Sequence, residues 1–158
     1  MTLHIALFQP DIAGNTGTIL RLSACLGLHV HIIKPAGFDL SDRNLKRAGM
    51  DYLERASLEC HLDWHNFIDT MKRFNRRLLL LSTKAKTYYT NMCYHKNDVL
   101  LFGRESAGVP DYVYEAVDYT LKIPMQRHAR SLNLAMSVAM TTGEALRQIG
   151  YGEIEKAL

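Results

Sequence analysis

IPMQRHARSLNLAMSVAM, residues 123–140, decides how the chain is read. It begins as the end of an apolar strand over Tyr119 to Ile123, stopped at Pro124, which has no N–H to give a ladder. Gln126, Arg127, His128 and Arg130 then make a basic loop. Ser131-Leu132-Asn133 opens a helix, where a Ser or Asn side chain accepts from the first free backbone N–H groups. That helix is rich in small residues (Ala135, Ser137, Ala139, Gly143, Ala145), which let a second backbone or a ligand come close. Two readings fit. Periodicity alone favours a buried helix packed on a sheet. The polar loop favours a strand–loop–helix site for a polar cofactor, as α/β proteins build them.

Working outward, Leu3 to Phe8 reads as a central strand ended by Gln9-Pro10, and Asn15 is the expected cap of a helix closed by Gly27. Val30 to Ile33 is a second strand. Ser41 or Asp42 would cap a short helix ending at Gly49, with Arg43, Lys46 and Arg47 on one face. A weaker strand is expected over Glu54 to Cys60, and Asp63 caps a helix through Phe74 with Phe67, Ile68 and Met71 inward. Arg77 to Thr83 is an apolar run of the kind buried on both faces of a parallel sheet, and Val99 to Phe102 is another strand. Thr87 to Tyr94 stays ambiguous. Pro110 opens a short helix before the last strand and helix. Strands alternating with helices imply an α/β fold, a mostly parallel sheet flanked by helices, in a single domain over residues 1–158.

The bulk properties narrow the partners. The longest apolar runs are too short to span a bilayer, and MTLHIALFQPD lacks the marks of a signal peptide, so a cytoplasmic protein with no membrane partner is expected. Cys25, Cys60 and Cys93 are widely separated, without metal-ligand spacing, and read as buried or inert reduced thiols. A net charge of +3 permits a polyanionic partner without demanding one.

Several chemistries are absent from the motifs. There is no dinucleotide or P-loop glycine pattern, and Ser106 has glycines at the wrong offsets for a nucleophile elbow. His61 and His65 have zinc-protease spacing, but Leu62 stands where that motif has its glutamate, so no metal is expected there. His29 and His31 alternate on one strand and read as residues of its polar edge, while Lys72, Arg73, Arg76 and Arg77 read as a solvated helix end. What remains is three polar breaks where strands end: Ser82-Thr83, Gly103 to Gly108, and Pro124 to Asn133. In open α/β sheets such breaks converge on one pocket outside the carboxyl ends of the strands. Gly103 would let backbone approach a ligand closely. Glu105 either binds a ligand hydroxyl or amine, or caps a turn.

Asn15-Thr16-Gly17-Thr18-Ile19-Leu20-Arg21, then Leu101 to Pro110, then Ile123-Pro124-Met125 with Arg130 to Ala135, together resemble the three motifs of the SPOUT RNA methyltransferases. Arg47-Ala48-Gly49-Met50-Asp51-Tyr52 resembles a signature of one branch, the minimal bacterial methyltransferases of the wobble-nucleotide ribose 2′-hydroxyl in tRNA. The resemblance implies a C-terminal trefoil knot, S-adenosylmethionine as cofactor without metal, tRNA rather than DNA as partner, and a homodimer whose site uses both subunits. It implies that Leu81, Ser82, Gly103, Glu105, Ile123, Met125, Ser131 and Leu132 hold the cofactor. Arg21, Ser131 and Asn133 would be catalytic, and Asn15, Arg43, Lys46, Arg47, Arg127 and Arg130 would contact RNA. Two departures stand out. Ala13-Gly14 replaces prolines common in relatives, and Gly143 stands where a large aromatic residue is expected. The rivals are a related enzyme acting on ribosomal RNA or on a tRNA base, and a non-catalytic RNA- or nucleotide-binding module.

Overall fold

The computed structural model describes residues 2–39, 41, 43, 45, 47 and 56–156. In chain order these form β1 (His4–Phe8), α1 (Ala13–Leu26), β2 (His29–Ile33), β3 (Ser57–His61), α2 (Trp64–Arg73) and β4 (Arg77–Leu81). The short β5 (Thr87–Tyr88) and a 3-10 turn follow, then β6 (Asp98–Phe102), α3 (Asp111–Ala116), β7 (Tyr119–Lys122), α4 (Leu134–Ile149) and α5 (Glu153–Lys156). Asp42, Lys46, Gly49, the signature beyond Arg47 and the start of the third expected strand lie outside the described residues.

All pairings are parallel, in the order β3-β2-β1-β6-β4-β7-β5. The apolar run of β4 shows why. Leu78 and Leu80 enter the core on one face with Phe67, Met71 and Val113, while Leu79 enters the other with Ile19, Leu20 and Val138. A strand buried on both faces needs helices above and below, and only parallel crossovers supply them. α1 and α4 cover one face, α2 and α3 the other.

Helix ends follow elementary capping chemistry, with one correction. Asp63 accepts from Asn66 N at 2.8 Å to open α2, and Gly27 ends α1 in the left-handed region at φ 65°. The expected cap Asn15 lies inside α1; the cap position is Ile12, which has no side-chain acceptor.

Two further expectations change. Arg77 is no solvated helix end: it opens β4 directly opposite Asp98, which opens β6. Its Nε and Nη2 donate to Asp98 Oδ1 and Oδ2 at 2.6 and 2.8 Å, and His95 N donates to the same fully buried carboxylate. The Asp98 carboxylate raises the affinity of the Arg77 guanidinium for its proton. The polar edge expected for His29 and His31 is divided: His29 stays partly exposed, while His31 is buried in a ladder of rings. His4, His31 and His61 run across β1, β2 and β3, with His31 and His61 packed on Phe67. Burial, then neighbouring positive charge, lowers His4 to about 3 and His31 to about 2, so both are neutral imidazoles in ordinary buffers. The three cysteines are free thiols; of the two expected alternatives burial does not hold, since Cys25 and Cys93 are exposed and Cys60 is partly covered.

Removing one partner of a buried ion pair strands the other charge, which costs about 3–5 kcal/mol. Arg77→Ala, which strands the fully buried Asp98 carboxylate, is therefore expected to lower unfolding free energy in urea by about that amount; a change below about 1 kcal/mol, the range of surface pairs, would contradict this account.

Candidate active site

The carboxyl ends of β4, β6 and β7 open onto a cleft of about 750 Å³. Three connections line it, running from Leu81 to Lys84, from Phe102 to Val109, and from Ile123 through Arg130 to Leu134, with Ile12 and Asn15 of the β1–α1 connection at its rim. The three expected polar breaks thus converge.

The loop between Gly103 and Gly108 closes on itself, with Arg104 and Gly108 exchanging two backbone hydrogen bonds of 2.9 Å. A Cβ on Gly103 would sit 2.5 Å from the Gly108 carbonyl carbon. Gly103 therefore permits a close approach by its own loop, and it also lines the cleft. Gly108 adopts φ +64°, a conformation that side chains disfavour.

Residues 104–106 and the β1–α1 connection hold each other reciprocally. Asp11 Oδ1 accepts from Arg104 Nη2 at 2.8 Å, and its Oδ2 accepts from the Ser106 N and Oγ. Glu105 reaches back: it accepts from Asp11 N at 2.7 Å, Ile12 N at 3.3 Å and Asn15 Nδ2 at 3.5 Å. Glu105 thus takes the N–H of the cap residue Ile12 and of Asp11 before it, a carboxylate placed at the positive end of α1. It lines the cleft, but its oxygens are engaged with the protein's own N–H groups, in line with the turn-capping alternative. The Ser106 and Arg104 bonds hold Asp11 below its ordinary pKa of 3.8. A lowered carboxylate stabilises the fold above its ordinary value, and the contribution disappears as pH falls through the lowered one. Asp11 is therefore ionised at neutral pH.

Asn133 extends the same network. Its Oδ1 accepts from Met136 N at 3.2 Å, capping α4 as expected, and its Nδ2 donates to Asn15 Oδ1 at 3.1 Å. The N-termini of α1 and α4 are therefore linked side chain to side chain at the cleft.

All eight residues assigned to the cofactor lie in the lining, together with Asn15, Arg130 and Asn133. Arg21 is exposed on α1 outside the cleft, Arg43, Arg47 and Arg127 are exposed elsewhere, and Lys46 is outside the described residues. Sequence reasoning missed Asp11, Arg104 and Ser106. The available signal was a helix opening on Ile12, whose side chain offers no acceptor.

Such a cleft has the character of a cofactor site. Its volume falls within the roughly 300–1,000 Å³ of small-molecule pockets, and apolar Leu81, Ile123 and Leu132 alternate with polar Ser82, Ser131 and Asn133. An adenosine needs this mixture, apolar faces for its ring and polar groups for its edges.

Comparison with known proteins agrees with this geometry. The model of the SpoU rRNA Methylase family matches residues 2–143, and the chain belongs to that family. It is 51% identical over 146 residues to the tRNA (cytidine(34)-2′-O)-methyltransferase of Beijerinckia indica, covering 92% of this chain and 91% of that one. The Escherichia coli K12 protein of the same name is 38% identical over 151 residues, covering 94% and 95%. A solved structure concerned with 2-OH methylation of C/U34 on tRNA superposes with a TM-score of 0.89 at 40% identity, covering 93% and 95%. An AdoMet-bound rRNA methyltransferase from Sinorhizobium meliloti gives a TM-score of 0.86 at 25% identity, over 92% of this chain and 56% of that one.

Gly103→Ala tests the loop without removing any functional group. Overpacking against Gly108 is expected to cost about 1–3 kcal/mol and to weaken binding of S-adenosylhomocysteine, read by calorimetry. Unchanged stability and affinity would mean that the loop has room the structure denies it.

Proposed function

We propose that the protein transfers a methyl group from S-adenosylmethionine to the ribose 2′-hydroxyl of the wobble nucleotide, cytidine or a modified uridine, in a tRNA anticodon loop. The observation that carries this reading is the convergence of Leu81, Gly103, Ile123, Met125, Ser131 and Leu132 on one cleft, joined to near full-length identity with enzymes named for that reaction. The cofactor would supply an electrophilic methyl on a positively charged sulfur, and the chain's residues would do the rest. Backbone and side chains from Leu81, Ser82, Gly103, Ile123, Met125 and Leu132 enclose the adenosine end and exclude water, leaving alignment as the main source of acceleration. Asn133 and Glu105 position the walls, because their polar atoms are engaged within the protein.

Arg21 anchors a substrate phosphate and stabilises charge developing on the ribose oxygen. A guanidinium, with a pKa above roughly 12, is a poor base, so the hydroxyl proton leaves through phosphate, Ser131 or water. Arg21 lies outside the cleft of its own chain, which suits a site completed across a homodimer. Leu132, Met136 and Met140 support the same assembly. They are exposed apolar residues, Leu132 just before α4 and Met136 and Met140 on its successive turns, Met136 at 62%. The C-terminal trefoil knot and a cytoplasmic setting belong to this reading through the family. Arg43, Lys46, Arg47, Arg127 and Arg130 would contact the anticodon stem-loop, whose unpaired bases suit a protein reading single strands.

Incubation with labelled S-adenosylmethionine and either tRNA or ribosomal RNA, followed by nucleoside mapping, tests the proposal. Label on a 2′-O-methylated wobble nucleotide is expected; label confined to ribosomal RNA or to a base, or none at all, would refute it. Arg21→Ala should lower the rate by at least about 100-fold while leaving cofactor affinity nearly intact, and a primary defect in cofactor binding would remove Arg21 from this role. The tRNA affinity should fall steeply and log-linearly with salt as counterions are released. A salt-insensitive affinity would exclude phosphate anchoring.

A further inference from the structure

Far from the cleft, on the β3 edge of the sheet, two buried histidines and a carboxylate face one another without any part in the chemistry above. The strand register sets His31 of β2 beside Glu59 of β3. His31 Nδ1 lies 2.9 Å from His61 Nε2, while Glu59 Oε2 is 3.7 Å from the first nitrogen and Oε1 is 3.9 Å from the second. Both rings are almost wholly buried; Glu59 is 47% exposed on its side chain. An N–H···N bond between the two imidazoles accounts for the 2.9 Å distance but leaves the carboxylate unexplained. It stands over both nitrogens, too far to accept a hydrogen bond from either.

We propose that His31, His61 and Glu59 form a binding site for a divalent first-row transition metal ion such as zinc. A tetrahedral centre with bonds of about 2.0–2.1 Å sets its ligand atoms about 3.3 Å apart, and distances of 2.9, 3.7 and 3.9 Å bracket that spacing. Two imidazoles and a carboxylate are ligands that such ions accept, with the remaining position open to water on the exposed Glu59 side. The second nitrogen of each ring is already held. His61 Nδ1 is 3.2 Å from Asn66 Oδ1, and His31 Nε2 is 2.8 Å from His4 Nδ1. Outer partners of this kind fix the tautomer and aim of metal-bound histidines. An ion would replace the N–H···N bond: with Nδ1–H of His61 directed at Asn66 and the His31 proton moved to Nε2, facing His4, both inward nitrogens present lone pairs to it. His29 Nε2 lies 3.6 Å from Glu59 Oε2, also beyond hydrogen-bond distance. His4, His29 and His31 also lie within ligand reach of one another, but that trio lacks a carboxylate. The bound ion would tie β2 and β3 to α2, which supplies Asn66.

The test uses full-length protein without a histidine tag, stripped with chelator and titrated with cobalt(II). A visible d–d absorption band saturating at one equivalent is expected, with displacement by zinc. Glu59→Gln, a change at an exposed position, should weaken binding at least about tenfold, and Asn66→Ala should weaken it by about 10–100-fold through the His61 ring. Absence of the band, or equal affinity in the parent and in Glu59→Gln, overturns the proposal. So does a site abolished by His4→Gln but indifferent to Glu59→Gln, because it would place the ion on the other trio.

Discussion

Asp11 and Glu105 hold the molecule's working end together. Each carboxylate reaches into the other's loop: Asp11 takes the N–H and side-chain donors of residues 104–106, and Glu105 takes the backbone donors that open α1. The cap residue Ile12 has no side-chain acceptor to offer α1, and its own N–H is taken by Glu105, which ties the loop after β6 to the start of α1. Because Asn15 touches both Glu105 and Asn133, the same bonds fix where α4 begins. The cleft is the space these three constraints leave.

α4 carries three duties on one surface. Val138, Ala145 and Leu146 face the sheet and α1, Asn133 at its start fixes the cleft, and Met136 and Met140 point to solvent. Its small residues serve this crowding. The open space at Gly143, where nothing lies within 4 Å of a Cβ, removes the packing role that an aromatic residue would have had there.

Much of the fold was legible because it is local. Apolar runs bounded by Pro and Gly gave β1, β2, β4, β6 and β7 to within a residue or two, and Asp63 and Asn133 announced their helices. What escaped is what the topology brings together from far apart. Arg77 looked like one of a run of surface cations, and only the register against β6 reveals Asp98 beside it. His31 looked like an edge residue, although β1 and β3 flank it and Phe67 covers it. Asn15 looked like a cap because residue type was all there was to judge by, whereas it lies inside α1 and its side chain reaches Glu105, far along the chain. The cleft residues were found through motif resemblance; composition supplied only the strand-end breaks on which they sit.

The Arg77–Asp98 pair sits at the amino ends of β4 and β6, while the cleft opens at their carboxyl ends. The molecule thus has a foundation and a workbench at opposite poles of the same strands. Evolution, or a protein engineer, can rewrite the loops on the bench, exchanging one RNA target for another, without disturbing the footing beneath them.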